Sequence, residues 1–145
     1  MDLANISRST STVIYSHTSI NGFSFGQSPD ELIKVLGSAD KSRELYSGEV
    51  ELLYGDKIFR FLNFRFVECT IPDPGPVKLN GMSVLNIYEW LGSCADVIDR
   101  ARFRISLSQG LAYDRRDPSA GSITVFEEFH WDGLIDHPTP TTLLG

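Results

Sequence analysis

Two stretches of this chain carry the same landmarks in the same order. Ile20-Asn21-Gly22-Phe23-Ser24-Phe25 is echoed by Leu79-Asn80-Gly81-Met82-Ser83-Val84. Leu36-Gly37-Ser38-Ala39-Asp40 is echoed by Leu91-Gly92-Ser93-Cys94-Ala95-Asp96. The offset is 59 residues at the Asn-Gly step (80 less 21) and 55 at the Leu-Gly step (91 less 36). Each copy leads into aromatic and β-branched segments. A duplicated small unit is expected to build one continuous sheet, which offers a binding face rather than a catalytic cleft. The expected fold class is α+β, with short helices packed on a mainly antiparallel sheet in two degenerate repeats.

The boundaries follow from composition. Residues 1–12 are rich in Ser and Thr and read as a flexible lead-in. Residues 13–136 read as one α+β domain, with halves at 13–71 and 77–136. Pro72-Asp73-Pro74-Gly75-Pro76 forbids regular structure and reads as the hinge between them. Residues 137–145, with two prolines in their sequence neighbourhood, read as a loose tail. At 145 residues and 41% apolar content the chain can build a packed interior.

The clearest local signal is Ser28-Pro29-Asp30-Glu31. Ser28 can cap a helix, Pro29 has its φ preset for the first turn, and Glu31 can reach back to the cap. Leu32, Ile33, Val35 and Leu36 supply an apolar face, and Gly37 is expected to end the helix in the left-handed region. Asn21-Gly22 predicts a tight hairpin turn. Glu49–Tyr54 reads as a strand and Gly55-Asp56 as a turn. The apolar density from Lys57 to Ile71 predicts buried strands, broken near Leu62-Asn63. In the second half two readings stay open. Asn86 caps a short helix over 87–91, or Ser93 caps one from Cys94 to about Ala101. Arg102–Leu107 and Ser122–Phe129 read as strands, and Asp114–Gly121 as a polar loop.

The stretch from Ile20 to Asp40 is similar to two related kinds of small bacterial protein. Its Asn-Gly, Ser-Pro-Asp-Glu and Leu-Gly-x-x-Asp landmarks resemble the BamE-like outer-membrane assembly lipoproteins. They also resemble the β-lactamase-inhibitor-protein-like domains, whose tandem helix-plus-sheet repeats form a concave binding face. The second likeness extends to small, acidic, cytoplasmic immunity proteins that neutralise toxins. The second copy departs from the pattern, because it lacks Ser-Pro-Asp-Glu and is four residues shorter between its landmarks. The start of the chain shows neither a signal segment nor a lipid-attachment cysteine, which speaks against the lipoprotein branch.

Charge gives the expected partner its sign. The net charge is −6, which disfavours nucleic acid. From Glu127 to Gly145 the chain carries Glu127, Glu128, Asp132 and Asp136 and no Lys or Arg. This acidic patch is expected to steer a basic partner. Trp131, expected to be partly exposed, serves as an aromatic anchor, with Tyr113 as another. Arg115 sits in the expected charged loop tip. These seven residues form the expected partner-binding set, and the resemblance implies a cognate toxin or effector whose active site is occluded. A non-inhibitory assembly adaptor is the alternative, followed by a small ligand- or metal-binding enzyme built on His130, His137 and the neighbouring acids. No catalytic residue, cofactor or metal site is expected, because no HExxH or paired-cysteine spacing occurs. Cys69 and Cys94 stand alone, which suits a reduced, cytoplasmic setting, although their pairing stays open. No apolar run is long enough to cross a bilayer.

Overall fold

Strands dominate the chain. The computed structural model describes residues 11–45, 48–117 and 120–133. Among these lie thirteen strands and two helices. The first strands are β1 (Thr12–Tyr15), β2 (Ser19–Ile20) and β3 (Phe23–Ser24), followed by helix α1 (Pro29–Leu36). Next come β4 (Lys41–Glu44), β5 (Glu49–Tyr54), β6 (Lys57–Leu62) and β7 (Arg65–Pro72). The second half starts with β8 (Val77–Leu79), β9 (Met82–Val84) and helix α2 (Ile87–Gly92). It closes with β10 (Ile98–Arg100), β11 (Phe103–Ser106), β12 (Leu111–Asp117) and β13 (Ala120–Phe126). The expected lead-in up to residue 10, the tail and Asp136 lie outside the described residues.

The strands form two sheets. The smaller has the order β3-β2-β1-β8-β9, and the larger β10-β11-β12-β13-β7-β6-β5-β4. The larger sheet is antiparallel throughout. An Asn-Gly hairpin, a short helix and four antiparallel strands thus follow one another twice along the chain. The two four-strand runs meet where β7 pairs with β13. At the middle of that seam Thr70 and Thr124 face each other, with their hydroxyl oxygens 2.8 Å apart.

The α+β architecture expected from the sequence is overturned. The fold is mostly β, with two sheets and helices of only eight and six residues. Two misread segments account for much of the difference. Asp114–Gly121, expected as a polar loop, falls largely within strands β12 and β13. Its charges are carried by strand residues, and Asp114 pairs with Arg102 across the sheet at 2.9 Å. The alternative helix from Cys94 is replaced by a turn and strand β10.

The helix starts follow the sequence closely. Ser28 Oγ accepts from the Glu31 N–H at 3.2 Å, and Glu31 Oε1 accepts from the Ser28 N–H at 2.9 Å. Asn86 caps α2 by accepting from the Glu89 N–H at 3.0 Å. Gly37 ends α1 at φ 83 and ψ −170, a region that is open to glycine and is not the left-handed helical well. Only Leu32 of the expected apolar face is fully buried, and Val35 is 71% exposed.

The main core lies between the sheets. Ile14 and Ile20 of the small sheet, Leu32 of α1, and Ile87 and Leu91 of α2 pack with Phe59, Phe61, Phe66, Ile123 and Val125 of the large sheet. Burying a side chain of this size contributes about 1.5–3 kcal/mol. A second cluster of Ile105, Ala112, Phe126 and Trp131 lies on the opposite face of the large sheet. Strand alternation requires this split, because Ala112 lies between Leu111 and Tyr113, which both join the main core.

Candidate functional site

Trp131 is a core residue. The expectation of a partly exposed anchor fails, because its exposure is 5%. Its ring stacks on Phe126, with centroids 4.8 Å apart and planes at 8°, and meets Phe103 edge-on at 5.8 Å. Its indole N–H donates to Glu68 Oε1 at 2.8 Å. A buried tryptophan needs such a partner, and here it lies on a strand far away in sequence.

Glu68 belongs to a ladder of alternating charge that crosses β4, β5, β6 and β7. Arg43 pairs with Glu51 at 2.6 Å, and Arg60 pairs with Glu51 at 2.7 Å and also with Glu68. Arg60 donates to Thr70 as well, at 3.0 Å, which joins the ladder to the β7–β13 seam. His130 Nε2 approaches Glu68 at 3.5 Å. Burial alone would raise the Glu68 carboxyl. The bonds from His130 and Trp131 and the Arg60 charge together hold it below the ordinary carboxylate range. The ladder and Trp131 tie the segment after β13 to the sheet.

Tyr113 and Arg115 lie on the other face of the sheet from Trp131. Tyr113 is buried in the main core, and its hydroxyl donates to Asp73 Oδ2 at 2.6 Å. Burial and the Asp73 carboxylate push its hydroxyl up to about 12. Arg115 lies over the Tyr88 ring at 5.5 Å and donates to the Tyr88 hydroxyl. Arg104 covers the same ring at 4.1 Å. The six expected partner-binding residues that lie within the described residues are therefore not gathered at one place. Tyr113 and Trp131 hold the fold on opposite faces of the sheet.

Three of the expected acids remain near the surface at the end of β13. Glu127 pairs with Arg65, the first residue of β7. Glu128 is exposed and Asp132 half-buried. Beside them are two residues that the sequence placed within expected strands, Phe64 and Phe129. Phe64 is 75% exposed and Phe129 71%. Phe64 directly precedes Arg65, and Phe129 follows two residues after its ion-pair partner Glu127. Both phenylalanines therefore mark the same end of β7.

Their backbones are as unusual as their exposure. Asn63 and Phe64 form the two-residue turn between β6 and β7, at φ 52 and 63. Such a turn requires positive φ at both positions and favours glycine at the second. Among the described residues glycine stands there in the other two such turns, Asn21-Gly22 and Asn80-Gly81. Phe129 also sits at positive φ, 70. A bulky side chain in this region is an outlier. Asn63-Phe64 between apolar strands was the readable signal, since it has the form of a hairpin turn with the wrong second residue.

His17 and the two cysteines are not part of this surface. His17 Nε2 lies 2.8 Å from the Ser108 carbonyl oxygen, so that nitrogen carries the proton. Cys69 and Cys94 are both free thiols. Among the described residues no group of three His, Cys, Asp or Glu side chains is placed to hold a metal, and His137 lies outside them. Among the same residues no helix is long and apolar enough to cross a membrane. Comparison with protein-family models, with curated proteins and with solved structures gives no match.

Proposed function

We propose that this protein is a cytoplasmic protein-binding inhibitor that docks a basic partner at the β6–β7 hairpin end. The partner class is a bacterial toxin or effector, whose active site is blocked by occlusion rather than by chemistry. One observation carries the reading: Phe64 is exposed and strained in a turn where glycine would serve the fold better. Exposed aromatics of this kind supply binding energy when a partner covers them. Arg65 neutralises Glu127, so Glu128 and Asp132, on either side of Phe129, give the surface the sign that attracts a basic face. The inhibitor assignment itself rests on the resemblance of Ile20–Asp40 to immunity proteins.

A photo-crosslinking residue at position 64, in the cell that makes the protein, tests this. The expected product is a covalent adduct with a basic protein. That protein should be toxic when expressed alone and harmless beside the wild-type chain, and Phe64→Asp should restore the toxicity. An adduct whose partner is harmless favours a non-inhibitory adaptor. Absence of any adduct contradicts the docking surface.

A further inference from the structure

The two sheets do not close completely on each other. A cleft of about 720 Å³ opens between β1–β3 on one side and β5–β7 on the other. Val13, Ile20 and Phe23 form one wall, and Phe59 and Ile71 the other. Tyr54 and Lys57, paired across the β5–β6 turn, stand among the lining residues. Cys69 also lines it, and burial pushes that thiol up to about 12, so it presents a neutral surface.

Charge selects the occupant. Acidic residues outnumber basic ones 19 to 13 in this chain, yet the cleft lining has no Asp or Glu. Its one charged side chain is Lys57. Among the described residues no carboxylate pairs with it. Lys57 is exposed, so the cleft combines largely apolar walls with one cation at its rim, a make-up that suits an amphipathic small molecule.

We propose that this cleft binds a small amphipathic monoanion, with its acyl or aryl body between the sheets and its anionic group on Lys57. The site is separate from the hairpin end, since Lys57 and Leu62 are the opposite ends of strand β6.

The test uses the full chain and two fluorescent probes of similar shape, anilinonaphthalene sulfonate (anionic) and phenylnaphthylamine (neutral). The sulfonate should bind saturably at one site and be displaced by decanoate more readily than by decanol. Lys57→Glu should weaken the sulfonate about tenfold and leave the neutral probe unchanged. Lys57→Arg should restore most of the affinity. Ser19→Trp, which narrows the cleft, should weaken both probes. Near-UV circular dichroism of each variant confirms a packed fold. The proposal is overturned by equal sulfonate affinity in wild type and Lys57→Glu. It is also overturned if the folded protein takes up no probe saturably, or if uptake falls as protein concentration rises because a second copy fills the cleft.

Discussion

Asn21 and Asn80 hold the same strand, β1, from its two edges. The Asn21 N–H donates to the Val13 carbonyl at 2.8 Å, and its side-chain oxygen accepts from the Val13 N–H at 2.8 Å. The Asn80 N–H donates to the Ile14 carbonyl at 2.9 Å, and its side-chain oxygen accepts from the Ser16 N–H at 2.9 Å. Both residues sit at positive φ, 50 and 51. Each Asn-Gly step is therefore a turn and a clamp. Replacing either asparagine by alanine should cost about 2 kcal/mol, since it removes a hydrogen bond and strains the turn. Replacement by glycine keeps the turn and should cost about half as much. Urea unfolding of the four variants would measure this order, and equal losses for alanine and glycine would contradict it.

The charged ladder predicts a pH dependence. Glu68 is held below its ordinary value of 4.5 in the folded protein. A carboxyl depressed on folding contributes its full stability above the unfolded value. That contribution is lost as pH falls below about 4.5 and through the folded value. Glu68→Gln should lose roughly 3 kcal/mol at neutral pH, because Arg60 loses a buried partner. Its stability should then vary less than that of wild type on the acid side. Urea midpoints between neutral and acid pH would show whether the two curves converge.

The two thiols should differ in reactivity. Cys69 is 1% exposed, and burial followed by the Glu68 charge pushes it up to about 12. Cys94 is half-buried, and burial raises it to a lesser extent. At neutral pH a thiol reagent should label Cys94 slowly and Cys69 only when the chain opens. Mass spectrometry of the labelled protein, with and without denaturant, would check both sites.

Local chemistry was legible in the sequence, and pairing at a distance was not. The Ser28 cap, the Asn21-Gly22 turn and strand β5 depend on neighbours within a few residues, and each could be read directly. The fold class depended on segments such as Asp114–Asp117. Its run of charges suggests a solvated loop until Arg102 and Tyr88 provide partners for Asp114 and Arg115. Trp131 was misplaced for the same reason. Its acidic neighbours suggest solvent, whereas its N–H is claimed by Glu68, 63 residues away. Phe64 was hidden by the phenylalanines around it. Phe59, Phe61 and Phe66 are buried, and composition alone cannot separate a turn residue from strand residues.

The docking account predicts that Phe64 is retained against the interest of the fold. The direct measurement pairs stability with binding in one variant, Phe64→Gly. Glycine suits the second position of this turn, so the variant should unfold at higher urea, by about 1 kcal/mol. Its affinity for the crosslinked partner should fall at least about tenfold. A variant that is no more stable than wild type, or one that binds the partner equally well, would contradict the account.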